Sequence, residues 1–166
     1  MSYTNEFIRA FGSVLRNEGG LVDDPDDPGG RTIYGLTSRD HADLWADGTP
    51  TLDQVAERYL TDYWDKLGLS AVKNAAVREE IFDTAILMGP DRAARIAQEA
   101  LRDLSIVVAV DGAMGPLTRS ALNNYEDQAV LFTVLNGRQL RHLIAIGNPK
   151  YLRGWIAKRV TLSPGG

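Results

Sequence analysis

Residues 16–35 read RNEGGLVDDPDDPGGRTIYG and set Glu18, Asp23, Asp24, Asp26 and Asp27 among five glycines and two prolines. The segment before them, 5–18, spaces Phe7, Phe11, Val14 and Leu15 along one helical face. Gly19-Gly20 ends that helix, because glycine reaches the backbone conformations a helix terminus needs. Beyond it, the turn-rich PDDPGG between LVDD and RTIYGLT predicts a hairpin or an irregular β-ribbon. A helix feeding into a ribbon decides the fold class, because almost everything after Thr37 reads as helix.

Working outward, apolar periodicity predicts helices over 38–46, 51–66, 74–88, 91–104, 116–124, 127–146 and 149–160. Thr51, with Gln54 three residues later, forms a capping box. Gly89-Pro90 punctuates the chain between two of these helices. The apolar IVVAV leads into DGAMGPLT at 111–118, where Asp111-Gly112 makes a turn and Pro116 begins a helix. That structural role accounts for every residue of the loop but Met114. The class is α+β, mostly α, with a small N-terminal β-ribbon and a helical bundle.

Composition excludes several chemistries. The 166 residues, 44% of them apolar and 24% charged, are enough for a real core. Cysteine is absent, which removes disulfides, thiolate zinc ligands and thiol nucleophiles. Only His41 and His142 are available as imidazoles, so no metal site and no cofactor are expected; both are expected at the surface. The pairs of acids in DDPDD are split by proline and do not follow the alternating pattern of an EF-hand loop. No apolar run approaches the roughly 20 residues that span a bilayer, so no stable membrane insertion is expected. The N-terminal stretch lacks the features of a signal peptide, so synthesis in the cytoplasm is expected.

The net charge of −4 argues against nucleic acid as a partner. Acids cluster in 17–30, whereas 128–166 carries Arg138, Arg141, Lys150, Arg153, Lys158 and Arg159 and no acid. The two regions either screen one another or present a basic surface to an anionic polymer.

Glu18 is the residue with the clearest chemical promise. At about 100° per residue it falls within about 20° of Phe7 and Phe11 on the helical wheel, so it extends the buried stripe. It also stands in the last turn, where the helix dipole disfavours negative charge. Burial and dipole both push its pKa upward, as a general acid requires. The plainer reading is a glutamate exposed at a frayed helix end or bonded to the glycine-rich backbone. Asp27 and Thr32 complete the spacing E-x8-D-x4-T. Two carboxylates across a hairpin suit glycoside hydrolysis, one protonating the leaving oxygen and one stabilising an oxocarbenium-like state or activating water. Thr32 would position that water; Tyr34, on the ribbon beside it, either lines a cleft or packs. Trp45, Tyr63, Trp64 and Trp155, at helical spacing, read as core rather than as sugar platforms. Asp83 interrupts the apolar helix of Ile81, Phe82, Ala85 and Ile86, to face a cleft or to bond within the core.

NEGGLVDDPDDPGGRTIYGLT resembles the signature of the phage-type lysozymes of glycoside hydrolase family 108: Glu-Gly-Gly, then Asp-Pro-Gly-Gly, Thr and Tyr/Met-Gly-Ile-Thr. FDTAILMGPDRAARIAQEAL is similar to the family's Asp…Gly-Pro…Ala…Leu-Gln segment, with Ala100-Leu101 in place of Leu-Gln. VDGAMGPLTRSAL resembles the start of its predicted peptidoglycan-binding region, and YLRGWIAKRV its closing aromatic-x-x-Gly-Trp-x-x-Arg motif. The resemblance covers nearly the whole chain in order. It implies a lysozyme-like fold, with a catalytic region over 1–89 and a helical, peptidoglycan-binding region over 90–166 packed with it as one unit. It implies an endolysin-like N-acetylmuramidase that cuts the β-1,4 bond between N-acetylmuramic acid and N-acetylglucosamine. The family's catalytic glutamate falls on Glu18, its aspartate on Asp27 and its threonine on Thr32; Asp24 and Asp26 compete for the second carboxylate, and Asp26 and Tyr34 are candidate substrate contacts. The partner is then the glycan strand of peptidoglycan, met by a monomer that a phage lysis system releases to the cell wall. A lytic transglycosylase needs only Glu18 and is the nearest alternative; a non-catalytic wall-binding or phage structural module is the other.

Overall fold

The computed structural model describes residues 3–23 and 30–146. The expected helix 149–160, Trp155 and residues 24–29, with Asp24, Asp26 and Asp27, lie outside the described residues. Two compact units emerge, residues 1–62 and 63–166.

The first unit opens with α1 (Asn5–Glu18), capped by Thr4, whose hydroxyl accepts the Phe7 N–H. Phe7, Ala10, Phe11 and Val14 form its buried stripe. The chain leaves α1 through Gly19 at φ +75°. It then forms a three-stranded antiparallel sheet in chain order: β1 (Leu21–Val22), β2 (Thr32–Ile33) and β3 (Leu36–Thr37). The register pairs Val22 with Thr32, Thr32 with Thr37 and Ile33 with Leu36. Ile33 and Leu36 are buried, so the ribbon has one inward face.

Residues 38–46 form consecutive turns rather than the expected helix. Short polar side chains explain the difference. The Thr37 hydroxyl accepts the Asp40 N–H and donates to its carboxylate, and backbone bonds then mix three- and four-residue spacings. The capping box is present: Thr51 and Gln54 satisfy each other's backbone N–H groups at the start of α2 (Leu52–Tyr59). A π-helical turn (Leu60–Asp65) continues it, so the predicted segment 51–66 stays helical but changes its winding.

The second unit is a helical bundle. α3 (Ala75–Met88), α4 (Pro90–Asp103) and α6 (Gln128–Ile146) pack pairwise, and α5 (Pro116–Asn124) packs on α4. The buried Ala93, Ala94, Ala97 and Ala100 of α4 let its neighbours approach closely. Trp64 is fully buried, edge-on to Phe82 at 5.2 Å, with its indole N–H donating to Ser70 Oγ at 2.8 Å.

Candidate active site

Glu18 is the last residue of α1, and the helical spacing carries it one turn beyond Val14 on the buried stripe. The residue is half-buried and its Oε1 is shut off from solvent. Its other oxygen rests over the turn between β2 and β3. A Cβ on Gly35 would stand 3.1 Å from Glu18 Oε2 and equally 3.1 Å from Tyr59 Oη. Carboxylate and phenol therefore converge on the same point of bare backbone.

That turn is built for close approach. Ile33 pairs with Leu36, leaving Tyr34 and Gly35 as a two-residue connection with φ +45° and +84°. Positive φ at both positions is the type I′ hairpin turn, which matches the twist of the strands it joins. Gly35 occupies this region freely, but Tyr34 is strained there at a cost of about 1–3 kcal/mol. The Tyr59 hydroxyl donates to the Tyr34 carbonyl at 2.6 Å and holds the turn. Tyr59 itself is 1% exposed, its ring 5.7 Å from Phe11. One side chain thus joins α1, the hairpin and α2.

The structure brings Glu18 together with the turn that carries Tyr34. Tyr34 is half-buried in that turn. Thr32 lies half-buried on the central strand between Val22 and Thr37, with its hydroxyl donating to the Gly30 carbonyl at 3.4 Å. Tyr59 was not singled out by the sequence. Its signal was its place on the apolar stripe of α2 with Val55 and Ala56, since a buried tyrosine hydroxyl must find a partner.

Trp45 is buried, with the Arg31 guanidinium 4.9 Å above its ring, and Tyr63 is half-buried. His41 and His142 are half-buried. Burial holds both pKa values below the ordinary imidazole range, helped by Arg58 beside His41 and Arg92 beside His142. Among the described residues no three His, Cys, Asp or Glu side chains gather to hold a metal ion.

In the second unit, the DGAMG loop is held from within. The buried Gln98 donates to Asp111 Oδ1, the Ala113 carbonyl and Thr118 Oγ1, and accepts the Gly112 N–H. Arg95 donates to the carbonyls of Val110 and Asp111. Met114 is buried, so its place in the loop also has a packing reason.

Asp83 bonds within the core: Gln139 Nε2 donates to its Oδ2 at 3.2 Å. One helical turn away, Asn136 Nδ2 donates to the buried Glu80 at 3.3 Å. Burial, with the charge of Asp83 adding to it, pushes Glu80 up to about 8. Burial pushes Asp83 up to about 7 against the opposing Gln139 bond.

Residues 11–89 match the family of glycosyl hydrolase 108, and residues 92–160 match the predicted peptidoglycan domain. No curated protein sequence matches the chain. The solved structure of SagA from Brucella abortus is similar, with 27% identity and a TM-score of 0.76. That match covers 92% of this chain and 88% of the SagA chain.

Proposed function

We propose that this chain, a glycoside hydrolase whose residues 11–89 belong to glycosyl hydrolase family 108, is an endolysin-like N-acetylmuramidase. The family 108 domain, followed by a predicted peptidoglycan domain, makes it a peptidoglycan hydrolase. The finer reading assigns the bond and the acid. The bond is the β-1,4 link between N-acetylmuramic acid and N-acetylglucosamine, and the acid is Glu18.

One observation carries the assignment of Glu18. A carboxyl group at a helix end, with one oxygen shielded from water and the other close to Gly35, supports a role in proton transfer. In the step it performs, the Glu18 proton passes to the glycosidic oxygen as the bond from that oxygen to the anomeric carbon breaks. Asp27 serves as the second carboxylate, stabilising the oxocarbenium-like sugar or taking the proton of the incoming water. Thr32 orients that water, and Tyr34 and Asp26 line the sugar site. Water adds at the anomeric carbon and no cofactor takes part.

On this reading residues 1–89 do the chemistry and residues 90–166 hold the wall. The protein acts as a monomer released to the cell wall by a phage lysis system. Wild type should clear purified peptidoglycan, and Glu18→Gln, folded by circular dichroism, should not. Equal clearing by both would remove Glu18 from the role. Product masses carrying one added water would identify hydrolysis; anhydro ends would identify a transglycosylase.

A further inference from the structure

We propose that residues 106–110, together with Arg102, form a docking edge for the peptide stems of peptidoglycan rather than for its glycan strand. The inference rests on the reading that residues 90–166 hold the wall, and it names the surface and the part of the polymer they take.

The segment IVVAV is rich in β-branched residues that favour extended chain, yet it pairs with no strand among the described residues. It leaves α4 through a turn in which Ser105, at φ +64°, takes the left-handed position that helices usually give to glycine. The Ile106 N–H closes that turn on the Leu101 carbonyl at 2.9 Å, and Arg95 holds the Val110 carbonyl at 3.1 Å. Both ends are thus fixed. Between them, no backbone hydrogen bond ties Val107, Val108 or Ala109 to any described residue. Ser105, Val107 and Ala109 are exposed, whereas Ile106, Val108 and Val110 are half-buried. That alternation is the period of an extended chain lying on a surface. Val107 is 98% exposed. A pinned, extended, apolar segment with open N–H and C=O groups is an edge to which a peptide adds as a further strand.

Charge selects the peptide. Arg102 lines the same hollow as Ser105, Ile106, Val107 and Val108. The acids beside it on α4, Glu99 and Asp103, are engaged by Arg138. Arg102 is exposed and makes no ion pair among the described residues. A guanidinium beside an open backbone edge fits a short peptide that carries free carboxylates. The stems offer amides, small methyl side chains and such carboxylates, whereas the glycan between them offers hydroxyl and acetamido groups. The segment lies inside the match to the predicted peptidoglycan domain, residues 92–160.

The test uses the full chain and two soluble probes, the stem tripeptide L-Ala-γ-D-Glu-meso-diaminopimelate and the stem-free disaccharide of N-acetylglucosamine and N-acetylmuramic acid. Amide NMR titration of wild type should show the tripeptide, and not the disaccharide, shifting the Val107–Ala109 signals. Arg102→Gln should weaken tripeptide binding about fivefold. Successive N–H groups of an extended chain face opposite edges, so at least one of Val107→Pro and Val108→Pro, each checked by circular dichroism, should weaken it as much or more. Signals that stay unmoved by the tripeptide, or binding untouched by all three substitutions, would overturn the proposal. So would a dimer of wild type, seen by analytical ultracentrifugation and lost in the proline variants, since the edge would then belong to a second copy. Co-sedimentation of wild type with insoluble peptidoglycan on ice separates the two readings. Sedimentation without tripeptide binding leaves the wall-holding region standing and removes only this edge; no sedimentation removes both.

Discussion

Gly35 and Gly112 show what a missing side chain does at two close approaches. At Gly35 the absent Cβ leaves room for a carboxylate and a phenol. At Gly112, φ +80°, a Cβ would fall on the Asp91 carboxylate and within 3.0 Å of Arg95 Nη2. Gly112→Ala should therefore destabilise the protein by about 1–3 kcal/mol, read as a lowered urea midpoint, because a side chain at φ +80° is strained and the exposed Asp91 carboxylate must also move aside. A midpoint equal to wild type would mean the loop and α4 separate without cost. The turn at Asp111-Gly112 was legible from its residue types; the carboxylate it touches was not. Glu18 was legible because it continues the period of Phe7 and Phe11. Tyr59 was hidden for the opposite reason: an apolar stripe says that a tyrosine is buried but not what its hydroxyl meets.

Between elements, the seam of α3 and α6 has the largest consequence. Glu80 and Asp83, three residues apart on α3, meet Asn136 and Gln139, three apart on α6. Both acids are held above their ordinary values of 4.5 and 3.8, to about 8 and about 7. The folded state thus prefers them neutral, while the unfolded chain ionises them at the ordinary values. Their contribution to stability is whole below those values and is lost as pH rises through about 7 and about 8. Thermal melting should fall by several degrees between pH 5 and pH 8. Glu80→Gln should flatten that dependence, and a wild-type curve level across the range would refute the account. The helices themselves were readable, since caps and apolar periods act within a few residues. Segment 38–46 misled because Thr37 and Asp40 bond the backbone in competition with a helix, a local contest that periodicity ignores.

Across the whole molecule, the family boundary and the packing boundary differ. The family 108 match runs to residue 89, but α3 packs with α4 and α6 in the unit that begins at residue 63. Among the described residues no helix is long and apolar enough to cross a membrane. If the region from residue 90 onward grips the wall, Glu18→Gln should still co-sediment with peptidoglycan while failing to clear it. Loss of both would place the grip in the acid's own site.

The sequence by itself determined the order of helix, ribbon and bundle, the place of Glu18 at a helix end, and the exclusion of thiol chemistry. Each follows from composition or from interactions spanning a turn or two of chain. Only the tertiary structure decided that Tyr59 reaches the Tyr34 carbonyl across 25 residues, and that Asp83 meets Gln139 across 56. Such contacts are set by which distant atoms share a buried space, and burial is what then fixes the protonation of Glu80 and Asp83. Local periodicity carries no record of either.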